Sequence, residues 1–566
     1  MTDWDLEVDF LVVGSGAGGM TGALIARDEG LDTLIVEKSQ HYGGTSALSG
    51  GVVWVPNNHQ MAAAGIADSD EDGLQYLRQV TRGEVAEARL AAYVHHAKAM
   101  VRYLEQHSAV RFEAAEAYCD YYPELTGGKM GGRSMDPLPF SRRRLGAQLR
   151  LLQPSPWSGV LNRFHLTAKE AHLILAFNAR TATFLLRRLL AYYADVPSRL
   201  RGLPDNRATL GQALVGSLRR SLMDREVPLW LETSAERLIV DQGRVCGAVV
   251  TRSGSSQRIR ARRGVLLASG GFARNAAMRR RYQQHPIGAE WTSAAEHDLG
   301  DGILMGQEVG GALQFMHCAW WTPTLKEPDD SNWALIVGKA MPGSIFVNAD
   351  GRRFTNEAAP YEDVIKGQYH SHQAVASIPC HMVFDAGYRR RYALSRIAPS
   401  RIQPDAALPA HYWQSGFLTR ADTLRGLAEA IAIDADGLEA TVAKFNREAS
   451  QGLDTAFGRG ASASDRYYSD PDNAPNPCLA PLEKPPFYAV RVYPGDLGTK
   501  GGLRCDEHGR VLDTAGAPIP GLYAAGNCSA AVMGDSYPGA GATLGPAMTF
   551  GYIAARHAAG SGEGTD

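Results

Sequence analysis

A glycine-rich turn close to the start of the chain constrains the fold more strongly than any other feature. Residues 9–38 have the pattern of a short apolar strand, a turn, a helix and a second strand that ends at Glu37. In this pattern Gly14 permits a tight turn, Gly16 lets a pyrophosphate approach the backbone, and Gly19 lets the helix pack closely on the strand. The helix N-terminus then faces the phosphates, and Glu37 accepts hydrogen bonds from an adenosine ribose. The segment therefore predicts a Rossmann-like dinucleotide site. The other turn residues assigned to this site are Ser15, Ala17 and Gly18.

A second glycine-rich segment, residues 38–56, favours FAD over NAD as the dinucleotide. It holds two Gly-Gly pairs interleaved with small hydroxyl residues. Small residues and free N–H groups at a second place suit a long, extended cofactor, because the pyrophosphate and the flavin both need contact with the backbone. The FAD contacts predicted here are Lys38, Gly43, Gly44, Thr45, Ser46, Ser49, Gly50 and Gly51.

Glycine clusters return further along the chain. An apolar strand runs into Gly270-Gly271, and a Gly-Asp-Gly sequence opens a helix. Such bare backbone at the carboxyl ends of strands is where α/β sheets bind ligands. Near the end of the chain, a helix that starts at about 541–545 would stabilise negative charge on a reduced flavin. The cofactor contacts predicted in these segments are Gly270, Gly271, Asp301, Gly526, Asn527, Gly541, Thr543 and Leu544.

Composition excludes several other classes of protein. The 566 residues carry a net charge of -2 with 45% hydrophobic and 21% charged residues, which argues against disorder and against a nucleic-acid partner. Seven separated cysteines without a CxxC pair indicate a reducing, cytoplasmic compartment. No signal peptide precedes the first strand, and no apolar run approaches the ~18 to 20 residues of a spanning helix. The histidine pairs lack cysteine or carboxylate companions at ligand spacing, so no metal site is predicted.

The segment 139–203 differs from the rest of the chain in charge. Eleven lysines and arginines stand there against two acidic residues, and apolar residues recur between them at helical spacing. This pattern is typical of helices that lie in the headgroup plane of an anionic membrane. An exposed helical insertion that packs on its own protein has the same pattern, and both interpretations stay open. The first predicts a protein held peripherally on the inner face of the cell membrane.

The predicted fold class is α/β, with a Rossmann-like FAD-binding domain, an inserted α+β catalytic domain and a basic amphipathic helical insertion. The glycine clusters place 1–316 and 498–566 in the FAD-binding domain, because cofactor-like sequence returns only near the end of the chain. Residues 317–497 then form the catalytic, substrate-binding domain, and 139–203 form the insertion.

Taken together, GSGAGG with Glu37, GGTSALSGG, LLASGG, GDG, GTKGGL and GLYAAGN look like the fumarate reductase/succinate dehydrogenase flavoprotein superfamily. Within it, DYYPE with GGKMGGRSM, GRRFTNEAAPY, GDLGTKGGL and SYPGAGATLGPAMTFGY resemble the 3-ketosteroid Δ1-dehydrogenases. This resemblance implies removal of two hydrogens across C1–C2 of a 3-oxosteroid, in steroid or sterol degradation. The hydride of C1 goes to flavin N5 and the proton of C2 to a tyrosinate, and the electrons leave to a quinone or similar external carrier.

The resemblance also implies roles for individual residues. Tyr361 of APY becomes the base for the C2 proton, and Tyr121 of DYY assists it by hydrogen bonding. Tyr537 and the backbone N–H of Gly541 bind the C3 carbonyl. The chemistry is coherent, because a C2–H bond becomes acidic only if donors stabilise the charge that develops on O3. A tyrosine with a pKa of ~10 also needs a partner that favours its anion. Tyr118 and Tyr122 share the loop of Tyr121 and remain alternatives for that partner.

Competing functions share part of this pattern. A 3-oxosteroid 4-dehydrogenase, or another flavin-dependent ketone desaturase, would use the same tyrosines on a different bond. A fumarate reductase-like enzyme needs cationic clamps for two carboxylates, whereas the corresponding segments here read AAPYED, DLGTKGG and GAGATLG. A flavin-binding protein without turnover would have little use for the tyrosines. Lys500 remains as a positive charge near the cofactor, either tuning the flavin or serving a structural role.

Overall fold

The computed structural model describes residues 4–155, 164–175, 179–200 and 205–561. The described helices are α1 Ala17–Asp28, α2 Gly44–Leu48, α3 His59–Ala63, α4 Asp70–Thr81, α5 Glu87–His107, α6 Ala168–Leu175, α7 Ala179–Ala194, α8 Val196–Leu200, α9 Leu210–Asp224, α10 Ala276–Tyr282, α11 Asp301–Glu308, α12 Tyr361–His372, α13 Ala386–Arg391, α14 Ala410–Gln414, α15 Leu424–Ala430, α16 Ala435–Ala449, α17 Ala463–Tyr467 and α18 Leu544–Ala559.

The described strands are β1 Leu6–Val13, β2 Thr33–Val36, β3 Val53–Trp54, β4 Phe112–Ala114, β5 Ser134–Pro137, β6 Phe140–Ser141, β7 Arg207–Ala208, β8 Leu229–Trp230, β9 Thr233–Asp241, β10 Arg244–Arg252, β11 Ser255–Leu267, β12 Leu313–Gln314, β13 Ala319–Lys326, β14 Asn332–Ala334, β15 Ser344–Val347, β16 Cys380–Asp385, β17 Thr419–Ala421, β18 Phe487–Thr499, β19 Gly502–Leu503, β20 Arg510–Leu512 and β21 Pro518–Ala524.

The first sheet has the order β20-β21-β11-β1-β2-β8, with β10 paired to β11 and β9 paired to β10. Strand β1 pairs in parallel with β2 on one side and β11 on the other, and β11 pairs in parallel with β21. Phe10, Leu11 and Val12 are fully buried, as expected for a parallel sheet that is covered on both faces. Helices α1 and α18 pack on each other beside this sheet. The βαβ unit predicted at residues 9–38 is confirmed, and the end of the chain returns to it.

The second large sheet is antiparallel, with the order β14-β13-β18-β16-β15 and β17 on β18. Helix α12 packs on β13, and α15 packs on α16 and β17. Strand β18 connects the two parts of the fold, because it begins in this sheet and ends at Thr499, whose Oγ1 accepts a hydrogen bond of 3.0 Å from Phe272 N. The strand thus crosses the predicted boundary at residue 497. The domain division itself stays a prediction.

Helices α6, α7 and α8 lie in the basic segment, as its apolar spacing predicted, whereas its first residues form strand β6. The insertion as a unit stays a prediction. On α7 and α8 several apolar side chains face solvent, namely Leu186, Leu189, Leu190, Tyr193, Val196 and Leu200. None of the described helices combines the length and apolar character that crossing a bilayer requires. Some apolar and basic residues that contribute to the pattern of this segment lie outside the described ones, namely Trp157, Leu161, Arg163, Arg201 and Leu203.

Candidate active site

The first glycine turn lies at the carboxyl end of β1, where the sequence predicted a pyrophosphate. Gly14 has φ +106°, and a Cβ there would lie 2.4 Å from the carbonyl oxygen of Ala268. A Cβ on Gly19 would lie 2.3 Å from the carbonyl oxygen of Gly14. Gly16 is the N-cap of α1 and has no side chain that could cap the helix itself. Apart from the N–H of Ala17, which Ser46 Oγ engages, the start of α1 is therefore suited to bind an anion.

Glu37 ties this turn to the second glycine segment. Its Oε2 accepts hydrogen bonds from Ser15 N at 3.0 Å and from Ser15 Oγ at 2.6 Å. The same hydroxyl accepts a 3.0 Å hydrogen bond from Gly43 N. Ser46 Oγ in turn accepts one from Ala17 N at 3.0 Å. These contacts bring together residues that the sequence assigned to the cofactor from two separate segments.

Other predicted cofactor residues meet across the same edge of the sheet. Lys38 and Asp301 form an ion pair, although 263 positions separate them in the sequence. A Cβ on Gly271 would lie 3.3 Å from the Cβ of Asn527, and a Cβ on Gly18 would lie 2.7 Å from the carbonyl oxygen of Ala547 in α18. Helix α18 begins at Leu544 after Thr543, and α11 begins at Asp301, as predicted. The residues present fit FAD, because bare backbone and two long-helix N-termini, those of α1 and α18, surround one edge of the sheet.

Part of the second glycine segment faces elsewhere. Thr45 Oγ1 accepts a 3.0 Å hydrogen bond from Ala295 N. The carbonyl of Ser49 accepts one from Gly211 N at 2.9 Å. A Cβ on Gly51 would lie 2.6 Å from the carbonyl carbon of Leu210. Ser49 and Gly51 thus pack on the start of α9, and their predicted FAD contacts stay predictions.

Three tyrosines from distant segments converge in the interior. Tyr361 is the first residue of α12, Tyr121 lies in the loop between β4 and β5, and Tyr537 lies in the turn before α18. The hydroxyls of Tyr121 and Tyr361 are hydrogen-bonded to each other. The ring centroid of Tyr537 lies 5.1 Å from that of Tyr361 and 5.4 Å from that of Tyr121. The Tyr537 hydroxyl also lies 3.4 Å from Thr543 Oγ1.

Trp54 and Asp120 join the loop of Tyr121 to the turn of Tyr537 and Gly541. Asp120 accepts hydrogen bonds from Trp54 Nε1 at 2.7 Å and from Arg133 Nη1 at 2.8 Å. Trp54 N donates to the carbonyl of Gly541 at 3.1 Å, and a Cβ on Gly541 would lie 2.5 Å from the backbone of Val53. The φ of +93° at Gly541 likewise favours glycine. Asp120 is the first residue of the DYYPE motif, but from the sequence neither it nor Trp54 was assigned a role in the site.

Buried charges fix the turn that precedes α12. Glu357 accepts hydrogen bonds from Arg353 Nη2 at 2.7 Å and from Arg459 Nη1 at 3.2 Å. Lys339 Nζ donates to the carbonyl of Glu357 at 3.0 Å and also to that of Ala359. These contacts of the RRFTNE segment hold the turn from which α12 begins at Tyr361.

The comparisons with known proteins agree with this geometry. The family model described as an FAD binding domain matches residues 9–544. The 3-oxosteroid 1-dehydrogenase of Mycobacterium tuberculosis (strain ATCC 25618 / H37Rv) is 42% identical over 98% of this chain and 98% of its own. The chain belongs to this family of FAD-binding dehydrogenases. It is also similar to the solved 3-ketosteroid delta1-dehydrogenase from Sterolibacterium denitrificans in complex with 1,4-androstadiene-3,17-dione, with a TM-score of 0.95 and 44% identity over 98% of this chain and 100% of that one.

A more distant relative acts on a smaller ring. The 4-oxocyclohexanecarboxylate 2-dehydrogenase of Sinomonas cyclohexanicum is 34% identical over 99% of this chain and 94% of its own. The relatives agree that this member of the family is an FAD-dependent oxidoreductase. The predicted family, fold class and cofactor are therefore confirmed.

In this 3-oxosteroid 1-dehydrogenase family member, the tyrosine loop provides three hydroxyls with three different partners. Tyr121 contacts Tyr361, whereas Tyr122 donates to Asp363 Oδ1 at 3.1 Å. The Tyr118 hydroxyl lies 3.3 Å from that of Tyr121 and 2.5 Å from that of Tyr468. Of the three alternatives for the partner of the base, the structure brings Tyr121 to Tyr361. Tyr468 belongs to no motif and was missed from sequence.

Burial sets the protonation state of these phenols. It raises the pKa of Tyr361 well above that of an ordinary tyrosine, with further increases from Tyr121 and Tyr537. Burial also raises the pKa of Tyr121 and Tyr118 well above the usual value, and that of Tyr537 is raised too. All four phenols are therefore neutral at physiological pH. A base of this kind can take up a proton only if its own proton is passed on.

Lys500 is a buried cation beside the cluster. Its Nζ lies 2.6 Å from Glu362 Oε2, donates to the carbonyl of Ser536 at 2.7 Å and sits 4.7 Å from the ring centroid of Trp320. Lys500 therefore connects α12 to the turn of Tyr537. These contacts favour the structural interpretation of Lys500. Glu362, its counter-ion, was not identified from sequence.

One group of metal-ligating residue types occurs among the described residues. Ligand atoms of His317, Cys318 and Asp535 all lie within 4.8 Å of one another. Lys366 Nζ lies 3.1 Å from Asp535 Oδ2, so the ammonium group of this lysine already neutralises part of the charge of the carboxylate. The sequence did not identify this group, and the expectation that the protein carries no metal stays a prediction.

Proposed function

We propose that this enzyme removes the C1 and C2 hydrogens of a 3-oxosteroid and forms the 1,4-diene. The observation that carries the proposal is the convergence of Tyr361, Tyr121 and Tyr537 beside the turn that holds Gly541. Bound FAD supplies the acceptor for the hydride that leaves C1. An external carrier such as a quinone then removes the electrons.

The side chains of this enzyme act on the proton at C2. The Tyr537 hydroxyl and the Gly541 N–H bind the C3 carbonyl oxygen and stabilise the negative charge that develops there. The C2–H bond becomes acidic as a result, and Tyr361 takes the proton while Tyr121 holds its hydroxyl in place. The buried apolar rings around these groups exclude water, which strengthens each of these interactions.

The charges near the cluster support a neutral ketone as substrate. Lys500 is already paired with Glu362, and Lys366 with Glu362 and Asp535. A dicarboxylate would require cations that are available for bidentate contact. The relative that acts on 4-oxocyclohexanecarboxylate supports a second candidate, desaturation of a smaller cyclic ketone by the same tyrosines. Desaturation of the steroid at C4–C5 is the third alternative.

An anaerobic titration distinguishes these candidates. The purified holoenzyme is mixed with androst-4-ene-3,17-dione, with 4-oxocyclohexanecarboxylate or with succinate, and the flavin absorption is followed. We expect the steroid alone to bleach the flavin and to yield a 1,4-diene by mass spectrometry and NMR. For the C4–C5 alternative, 5α-androstane-3,17-dione is used, and formation of a 4-ene without a 1-ene would move the reaction to that bond. Bleaching by the cyclohexane acid alone would replace the steroid assignment, and bleaching by succinate would restore the dicarboxylate alternative.

We also propose that α7 and α8 hold the enzyme on the inner face of the cell membrane. Leu186, Leu190 and Leu200 are 56%, 62% and 83% exposed, and the arginine Arg187 lies among them. Exposed leucines next to cations suit the interface of an anionic bilayer, where the apolar side chains enter the acyl region. Such a position would let an apolar sterol derivative enter the enzyme directly from the bilayer.

Vesicle sedimentation tests the membrane proposal. The holoenzyme should bind vesicles of phosphatidylglycerol and phosphatidylcholine, and bind pure phosphatidylcholine less. The triple variant Leu186→Ser/Leu190→Ser/Leu200→Ser should lose this binding, whereas Leu453→Ser, which changes a leucine that is 54% exposed elsewhere, should retain it. Undiminished binding of the triple variant would overturn the proposal and leave the insertion as a helical unit that packs on its own protein.

A further inference from the structure

Four tyrosine hydroxyls form a continuous chain that leads away from the site. The Tyr361 hydroxyl is hydrogen-bonded to that of Tyr121, which lies 3.3 Å from the hydroxyl of Tyr118. The Tyr118 hydroxyl then lies 2.5 Å from that of Tyr468. Each phenol can accept one proton and donate another. The chain therefore has the connectivity of a proton path.

The chain runs from the interior towards the surface. Tyr361, Tyr121 and Tyr118 are buried, whereas Tyr468 is half-buried. Burial raises the pKa of Tyr468, and the charges of Tyr467 and Asp136 contribute in the same direction. Asp136 thus lies near the outer end, and burial raises the pKa of this carboxyl to about 6. A group of that pKa can take up and release a proton near neutral pH.

Ring packing fixes the orientation of the outer part of the chain. The ring of Tyr118 stacks on that of Tyr467 with centroids 4.0 Å apart and an interplanar angle of 10°. It meets the ring of Tyr468 edge-on at 5.5 Å. Packed aromatic rings restrict the rotation of the phenol groups, so the Tyr118 hydroxyl stays between its two neighbours. The Tyr122 hydroxyl donates to Asp363 Oδ1 and is not part of the chain of tyrosine hydroxyls.

The chemistry of the site requires such an outlet. Because burial raises the pKa of Tyr361, this residue starts each turnover as a neutral phenol. It can receive the C2 proton only if its own hydroxyl proton leaves at the same time. Each turnover releases one proton, and a group sealed among buried rings cannot give it directly to water.

We infer that the hydroxyls of Tyr361, Tyr121, Tyr118 and Tyr468 conduct the C2 proton from the substrate to the surface. The inference rests on the proposed function. The C2–H bond breaks and an O–H bond to Tyr361 forms, while the proton already on Tyr361 passes to Tyr121. Tyr121 and Tyr118 each pass a proton outward in the same sense, and Tyr468 releases one to water or to a buffer base. The electron pair of the C2–H bond becomes the new C1–C2 π bond as C1 loses its hydride to bound FAD.

Substitutions at the outer end test the chain without removing the proposed base. Tyr468→Phe and Tyr118→Phe retain the rings and delete one hydroxyl each, and Tyr467→Phe is the matched control in the same aromatic cluster. The rate of flavin bleaching by the steroid is measured in single anaerobic turnovers, together with proton release to an indicator dye. A positioned proton-transfer group raises the rate of the chemical step by about 100- to 10,000-fold. The outer hydroxyls do not touch the substrate, so loss of one should have a smaller effect and slow bleaching by about tenfold.

Two further readouts separate a proton path from a structural effect. The slowed variants should recover when the concentration of imidazole buffer is raised, because a small base substitutes for the missing hydroxyl. They should also show a larger decrease in rate in D₂O than the wild type does. Tyr467→Phe should bleach at the wild-type rate and be insensitive to imidazole.

The outcomes distinguish the proton path from the proposed function. If the steroid bleaches the wild type, and Tyr468→Phe and Tyr118→Phe have the same rate and the same solvent isotope effect as the wild type, the proton path is overturned and the proposed function stands. Equal slowing of all three variants without imidazole recovery would also overturn it and indicate a packing role. If Tyr118→Phe fails to fold, the half-buried Tyr468→Phe decides the question. Absence of bleaching in the wild type with bound FAD would overturn the proposed function and the path together.

Discussion

The cofactor cradle and the tyrosine cluster are built by opposite means. In the cradle, bare backbone of short contiguous segments approaches the ligand, and a Cβ at Gly14 would collide with the backbone of Ala268. In the cluster, side chains 240 positions apart in sequence meet, as Tyr121 and Tyr361 do. The cradle therefore depends on close packing of backbone on backbone, whereas the cluster depends on how distant loops hold their side chains together.

This difference predicts different consequences of substitution. A change in the cradle alters backbone packing, so it should act on stability and on FAD content. A change of one hydroxyl in the cluster leaves the packing of the ring intact, so it should act on rate alone. Trp54 of β3 and Asp120 of the tyrosine loop join the tyrosines to Gly541, so a substitution that breaks their buried hydrogen bond should act on stability as well as on rate.

The largest expected effect is that of Tyr361→Phe. The variant should keep FAD and steroid binding but bleach the flavin about 1,000-fold more slowly or worse, because a positioned acid–base group is lost. The measurement is the rate of anaerobic bleaching beside the FAD absorption spectrum. Tyr369→Phe on the same helix, whose hydroxyl donates to the carbonyl of Pro286, should be close to the wild type. Near-normal bleaching by Tyr361→Phe would remove that residue from the role of base.

The same comparison explains how far the sequence alone could lead. The turn at Gly14, Gly16 and Gly19 was predictable because its glycines and Glu37 lie in one short segment with a fixed spacing. The starts of α11 and α18 were predictable for the same reason. The three cluster tyrosines could be named only through a family resemblance, because no local pattern indicates that their hydroxyls meet.

Residues that act through tertiary contacts were not predictable. Tyr468 follows the short helix α17 in a segment without a motif, and Glu362 is one of many acidic residues near a helix start. In the sequence Trp54 cannot be distinguished from an ordinary core residue, because its role depends on contacts with Asp120 and Gly541 that only the structure shows. Charge and helical spacing predicted helices in the basic segment, but the exposure of its leucines became visible only in the structure.

The next largest effect is expected for Tyr537→Phe. Loss of one donor to a developing oxyanion slows catalysis by about 100- to 1,000-fold, and FAD content should not change. Single-turnover bleaching at saturating steroid measures the loss in the chemical step. Tyr523→Phe, which removes the hydroxyl that contacts His557 in another buried site, is the matched control. An unchanged bleaching rate in Tyr537→Phe would show that the carbonyl is held by other groups.

A pair of glycine substitutions tests the cradle. Gly14 and Gly30 both have positive φ, but no described atom lies within 4 Å of a Cβ built on Gly30. Gly30→Ala should lower the free energy of unfolding by about 1 kcal/mol, whereas Gly14→Ala should lower it by at least about 2 kcal/mol and release FAD. Urea unfolding and the ratio of flavin to protein absorption measure both effects. Equal losses in the two variants would contradict the view that close backbone packing shapes the cradle.

The smallest effect is a pH dependence that belongs to the cradle. Burial raises the pKa of Asp298, which lies beside Gly270, to about 7. The folded protein therefore binds this proton more tightly than the unfolded chain, and the associated stability is lost as the pH rises from about 4 to about 7. Asp298→Asn is neutral throughout, so the stability of the wild type relative to this variant should fall as the pH rises over that interval.

Thermal unfolding of both proteins between pH 4 and pH 8 measures this difference. Asp329→Asn is the control: burial opposes the shift, but hydrogen bonds from Ser331 and Arg396 hold the pKa of Asp329 at about 2. Its stabilising effect is complete above pH 4, so its difference from the wild type should be constant over the interval. A constant difference for Asp298→Asn as well would mean that Asp298 is ionised in the folded protein. The cradle would then be as insensitive to neutral pH as the tyrosine cluster, whose phenols have raised pKa values and do not titrate there.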